Sequence, residues 1–260
     1  MITALVERLG AFVLQSITSL GQFSYFFVQV FFWMFKRPFR IKLLFEQLFF
    51  VGNKSLFIIM LTGGFTGMVM CYQTYFGFKL VSADNFVGPL VAISLAKELA
   101  PVFSGLVVAG RAGAAMAAAI GSMKVTEQVD ALEVMGINSI QYLAVPRVVA
   151  STLVLPLLTI IFQFVGNAGA WLVGVKVLKI EEAIYFSKLS EFMFVSDIAQ
   201  GVIKAYFFGL AIATIGTYFG FTVQGGAEGV GKNTNLAVIW GMVTVLVADF
   251  ILTSFLVRVL

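Results

Sequence analysis

Five apolar runs dominate this sequence, from Leu56 to Phe78, Phe86 to Met123, Val148 to Val175, Val202 to Val223 and Leu236 to Val257. A hydrocarbon core about 30 Å thick takes roughly 20 helical residues to cross. Inside it no water satisfies backbone N–H and C=O groups, so runs of this length can only become transmembrane helices. The expected fold class is therefore an all-α integral membrane protein with five spans. The second run is too long for a simple crossing: as one helix it would exceed about 50 Å. It must tilt, protrude or break, and Pro101 is the expected bend.

Before these runs, Ile2, Leu5, Val6, Leu9, Phe12, Val13, Ile17 and Leu20 recur at helical spacing, with Glu7, Arg8, Gln15, Ser16 and Ser19 off that face. An amphipathic helix of this kind lies in the membrane interface. Residues 9–35 are uncharged and long enough to span, but their glutamines and serines favour an interfacial elbow over residues 1–42, ahead of a bundle over 43–260. Glu7 and Arg8 precede a long apolar run without a clear cleavage site, which argues against a cleavable signal peptide.

Positive charges set the topology. Lys36, Arg37, Arg40 and Lys42 place their side in the cytoplasm, and Lys124, Arg147 and Lys232 fall on the same side. The opposite loops carry Lys79 and a mixture of Lys176, Lys179 and Lys188 with Glu181, Glu182, Glu191 and Asp197. Five spans then leave the C-terminus outside.

Composition removes several functions. Only 12% of the residues are charged, 60% are apolar and the mean hydropathy is +1.00, too little polar surface for a water-soluble domain. The net charge of +4 is scattered or sits at span ends, a poor pattern for nucleic-acid binding. There is no histidine and a single cysteine, Cys71. That excludes disulfides within the chain, Cys/His metal sites and His-based acid–base or nucleophilic chemistry. No cofactor is expected.

The connection between the second and third spans, VTEQVDALEVM (125–135), carries a helical pattern. Val125, Val129 and Leu132 share one face, Glu127 and Asp130 lie nearly opposite, and Gly136 sits where a helix would stop. From pattern alone this is either a surface offered to a partner or a solvated connector.

The run AKELAPVFSGLVVAGRAGAAMAAAIGSMKVTEQVDALEVMGI (96–137) resembles the MlaE/YrbE family of ABC-transporter permeases, the membrane subunits of MCE-associated phospholipid transport systems. PLLTIIFQFVGNAGAWLVG (156–174) and GGAEGVGKNTNLAV (225–238) resemble it too, so the likeness covers nearly the whole chain. It implies a single permease domain with an elbow helix and five spans in the bacterial inner membrane. It also implies a homodimer enclosing a phospholipid cavity, separate cytoplasmic ATPase subunits and a periplasmic MCE-domain protein, with a small cytoplasmic accessory subunit as a further candidate partner. By this resemblance 125–136 is the coupling helix that meets the ATPase, through Glu127, Gln128, Asp130, Ala131, Leu132 and Met135. Lys97 and Glu98 would lie at the lipid pocket with Met70, Phe78 and Val81, and Leu99 and the amphipathic Tyr75 are further lipid-binding candidates. The protein would be a non-catalytic transport subunit serving outer-membrane lipid asymmetry.

Read for themselves, Lys97 and Glu98 are either pocket residues or groups near the outer interface that reach water. Gly113, Ala117 and Gly121 form a small-xxx-small row suited to close helix packing. Arg111, deep in the same run, is expected to meet a carbonyl or carboxylate. Asp249 is a lone carboxylate in the last span. The stretch from Gly226 to Lys232 imitates a phosphate-binding loop. Asn233 stands where Ser or Thr should hold magnesium, and no strand precedes it, so it reads as a flexible cytoplasmic loop. The alternative function is an ion-gradient-driven secondary transporter of a lipophilic substrate. It is disfavoured because only Lys97, Glu98, Arg111 and Asp249 qualify as intramembrane charges, with no internal repeat.

Overall fold

In a computed structural model, residues 2–80, 82–256 and 258 are described, without the side chains of 2–13, 15 and 16. Val81, one of the expected pocket residues, lies outside the described residues. Among them the chain is helical and contains no strand: α1 (Ile2–Met34), α2 (Ile41–Lys79), α3 (Asp84–Val125), α4 (Gln128–Val134), α5 (Ile140–Val177), α6 (Glu182–Phe192), α7 (Val195–Phe221) and α8 (Gly226–Leu256). Five of these, α2, α3, α5, α7 and α8, are long and apolar enough to cross a membrane.

The bundle is built on α5 and α7, the most buried of the five spans. α2 packs along α5, α5 against α7, and α7 against α8, with α3 touching all four. Water does not drive these contacts together in a bilayer, so close approach must come from small residues. α2 offers Gly63, Gly64 and Gly67 to Phe162, Val165 and Gly166 of α5. The α3 row does the same toward α7. A side chain at Gly113 would meet Ile212, one at Gly121 would meet Val223, and Ala117 is buried beside Gly220.

α3 does not break at Pro101. It runs from Asp84 to Val125, but two segments, Leu95–Leu99 and Ala109–Gly113, are wound as π-helix. The first stands immediately before Pro101, which occupies the opening turn of the following α-helical segment. An expanded turn accommodates the missing N–H and the pyrrolidine ring within a continuous helix. At the second, Arg111 reaches across to α2. It donates from Nε to Ser55 Oγ at 2.8 Å and from Nη2 to the carbonyls of Phe50 and Val51 at 2.9 and 3.0 Å.

α1 is one helix of 33 residues. Its second half docks on the C-terminal end of α7, with Phe23 and Phe26 against Tyr218 and Phe26 against Phe221. Three expectations about boundaries need correction. Residues 226–233 are the first turns of α8 rather than a flexible loop. Gly225 and Gly226, at φ of 86° and 69°, make the turn, and Asn233 Nδ2 ties the helix to the Phe219 carbonyl at 2.9 Å. α7 begins at Val195, seven residues before the expected start, which carries Asp197 into the bundle. The connection before it contains a helix of its own, α6, whose Tyr185 is buried under Gly88 and Gly174.

Candidate functional site

Lys97 and Glu98 lie in the π-helical turn of α3, and both are held from α7. Lys97 Nζ is 2.8 Å from Asp197 Oδ1, while the other Asp197 oxygen accepts the Phe194 N–H at 2.9 Å, at the start of α7. Glu98 Oε2 is 2.5 Å from Lys204 Nζ and lies 3.4 Å from the Thr253 hydroxyl of α8. Lys204 Nζ is also 3.0 Å from Asp249 Oδ1. One buried ammonium thus bridges two carboxylates on different helices. Adjacent helical residues point in different directions, and so Lys97 and Glu98 find separate partners rather than each other.

The π turn explains why a lysine is buried here. Pro101 has no N–H to give, so neither Ala96, five residues before it, nor Lys97, four before it, can receive one from that position. Both carbonyls are filled by side chains from other helices. Gln163 Nε2 of α5 donates to Ala96 O at 3.1 Å, and Lys204 Nζ donates to Lys97 O at 2.9 Å. Gly201 lets α7 come this close, since any side chain there would overlap the Ala96 carbonyl.

Exposure separates the members of the cluster. Lys204 is 1% exposed and Asp197 5%. The side chains of Lys97 and Glu98 keep 30% and 40% of their surface. The inner pair anchors the site, and the outer pair remains accessible to a ligand. Three carboxylates face two ammonium groups, so the cluster is not a simple anion trap. It offers a cation in Lys97 and an anion in Glu98 side by side.

Of the apolar candidates, Met70, Tyr75, Phe78 and Leu99 are half-buried against the bundle core. The charged groups, however, are held by α7 and α8 rather than by α2. Two surface grooves lie elsewhere, one along Phe186 to Ile198 and one between Phe27, Phe207, Leu210, Ala248, Ile251 and Leu252.

Sequence reading missed Lys204 and misplaced Asp197. Asp249 is not a lone carboxylate, because it shares Lys204 with Glu98. A usable signal was present: Lys204 already lies inside the run Val202 to Val223, and Asp197, seven residues before it and two helical turns away on one face, joins it once α7 is known to start at Val195.

At the far end of α3, Thr126 and Glu127 separate the span from α4, with Glu127 left-handed at φ 59°. α4 is therefore shorter than the expected 125–136 segment, running from Gln128 to Val134. Val129 and Leu132 pack on Ile120 and Leu143, which sets the inward face. Glu127, Asp130, Ala131 and Met135 face outward, with Val134 89% exposed at the tip. Lys124 pairs with Asp130 at 2.6 Å and Ser139 donates to Glu133 at 2.7 Å, so both ends of the loop are tied down.

The family described as "Permease MlaE" matches residues 44–255. The chain belongs to the MlaE permease family. A "Probable ABC transporter permease protein" of Rickettsia typhi is 36% identical over 259 residues, covering 100% of both chains. The "Intermembrane phospholipid transport system permease protein MlaE" of Haemophilus influenzae is 39% identical over 213 residues, 82% of each chain. The chloroplastic protein trigalactosyldiacylglycerol 1 of Arabidopsis thaliana is 40% identical over 210 residues, 81% of this chain and 60% of that one. The MlaE family match spans α3, α7 and α8 and so includes every charged residue of the cluster. In this permease fold the site is made by three helices that meet at one π turn.

Proposed function

We propose that this MlaE-family permease moves phospholipids between the inner and outer membranes, through a cavity enclosed by two copies and driven by separate ATPase subunits. The observation that carries the reading is the half-exposed Lys97–Glu98 pair, fixed by Asp197 and Lys204 within a span. A phospholipid headgroup offers a phosphate for Lys97, and a zwitterionic one also offers an ammonium for Glu98. Met70, Tyr75, Phe78 and Leu99 are the apolar candidates for the acyl chains. α8 is the least buried span of the single chain, with Trp240, Val243, Val247 and Phe250 exposed, which leaves apolar surface for a second copy or lipid.

Energy enters through α4 in this reading. Its acidic, tied-down outer face with the apolar tip Val134–Met135 suits a groove on a soluble ATPase, on the cytoplasmic side where Lys36 to Lys42 also lie. An MCE-domain protein on the opposite side would accept or deliver lipid. Reconstitution with the ATPase subunit tests this: the wild type should transfer phospholipid in an ATP-dependent way, and Glu127→Lys/Asp130→Lys should uncouple ATP hydrolysis from transfer. Transfer driven by an ion gradient without the ATPase would overturn the proposal. That outcome would favour the secondary transporter, for which Asp197 and Lys204 add two charged groups to Lys97, Glu98, Arg111 and Asp249.

A further inference from the structure

The junction between α1 and α2 carries four cations in seven residues, Lys36, Arg37, Arg40 and Lys42. Among the described residues none of the four takes part in an ion pair, a property they share with Lys54, Lys79, Lys179 and Lys232. Two of them, Lys36 and Arg40, are nevertheless held in place. Lys36 Nζ stands 4.8 Å from the ring centres of Phe32 and Trp33, and the Arg40 guanidinium lies 4.5 Å over Tyr142. Gln141 Nε2 donates to the Lys36 carbonyl at 2.8 Å, fixing the junction to the first turn of α5. A stacked guanidinium is pre-ordered for phosphate, and Arg40 Nε is buried without a hydrogen-bond partner. Arg40 also precedes α2, whose N-terminus has no side-chain cap, so the helix adds its own positive end.

The surroundings point to a lipid rather than to a soluble ligand. Phe35, Phe39, Ile41 and Phe45 flank the cations and are between 59% and 68% exposed. α2, at 39 residues, would be about 58 Å long, well beyond a hydrocarbon core of about 30 Å. That excess length allows its first turns to reach the headgroup layer, where exposed aromatic rings suit acyl chains and cations suit phosphates.

We propose that Lys36, Arg37, Arg40 and Lys42 form a binding site for an anionic phospholipid headgroup, separate from the Lys97–Glu98 site. Assignment to the cytoplasmic leaflet rests on the topology proposed above; binding itself does not.

Native mass spectrometry of the full-length protein tests it, with dioleoyl phosphatidylglycerol and dioleoyl phosphatidylcholine as probes. The wild type should retain phosphatidylglycerol in preference to phosphatidylcholine. Each cation is expected to contribute about fivefold, so Lys36→Gln/Lys42→Gln should lower retention about 25-fold and Arg40→Gln about fivefold. Lys36 and Lys42 are exposed, so their replacement leaves the fold intact, and Lys176→Gln/Lys179→Gln should retain the lipid as the wild type does. Equal retention of both lipids, or an equal loss in the Lys176/Lys179 variant, would overturn the site. Displacement of phosphatidylglycerol by equimolar glycerol 3-phosphate would show a soluble phosphate site instead. Unchanged phosphatidylglycerol retention in Lys36→Gln/Lys42→Gln would likewise sink the lipid assignment.

Discussion

Lys204 Nζ lies 2.9 Å from the carbonyl oxygen of Lys97, an acceptor to which Pro101 has no N–H to donate. The same ammonium contacts Glu98 and Asp249. One side chain thus repairs a backbone defect in α3 and neutralises carboxylates from two helices, which ties the site's charge to the shape of the helix that carries it.

Removing Lys204 should therefore be worse than removing an ordinary apolar residue. Lys204→Met leaves Glu98 and Asp249 facing each other and reopens the Lys97 carbonyl. Breaking a fully buried pair costs about 3–5 kcal/mol, and the 40% and 19% exposure of the Glu98 and Asp249 side chains brings the cost here below that range. A large fall in the detergent-solubilised melting temperature is expected. Lys204→Met combined with Glu98→Gln and Asp249→Asn removes the excess charge and should recover much of that loss. Equal melting temperatures for the single and triple variants would show that charge balance is not what Lys204 supplies.

Close helix approach gives a sharper contrast. A Cβ at Gly67 would overlap the Gly166 carbonyl, while one at Gly77 on the same helix meets nothing within 4 Å. Gly67→Ala must push α2 off α5 and should lower the yield of monodisperse protein on size exclusion. Gly77→Ala should be neutral or stabilising by up to about 1 kcal/mol, since alanine is the better helix former. Similar behaviour of the two variants would contradict the described α2–α5 contact.

Arg111 is a packing residue in this structure, with three hydrogen bonds to α2 and its guanidinium 5.1 Å from the Phe50 ring. Lysine keeps the charge but not the planar fork. Arg111→Lys should cost about 1–3 kcal/mol through the unmet Ser55 and backbone partners, read as a lower melting temperature. If instead stability is unchanged and only transport falls, Arg111 acts on the substrate and not on the helix pair.

How far the sequence carried this picture depends on what each signal measures. Hydropathy located all five spans because membrane thickness fixes their length, and small-residue spacing placed Gly113, Ala117 and Gly121 on a packing face. Span ends were less legible. Asp197 reduces the local hydropathy, so α7 read as starting at Val202 with Asp197 in the loop before it, while Lys204, already inside the run as read, was passed over. Gly226 to Lys232 read as a loop because of its glycines, although packing against the end of α7 holds it helical. The π turns have no period of their own in the sequence. Pro101 hinted at a disturbance, but only the three-dimensional neighbours Gln163 and Lys204 show that α3 is continuous through it.

Tyr185, outside the spans on α6, gives a pH test. Its phenol is pushed well above the ordinary tyrosine range, first by burial and second by the Cys71 thiol beside it. A raised folded-state pKa means the folded protein holds this proton where the unfolded chain releases it. The associated stability is fully present below the unfolded pKa of about 10 and is lost as pH rises beyond it. The melting temperature should fall above about pH 10, and Tyr185→Phe should flatten that part of the profile while Tyr25→Phe, on exposed α1 surface, should not. An alkaline profile identical in wild type and Tyr185→Phe would mean that the α6 packing under Gly88 opens before the phenol ionises.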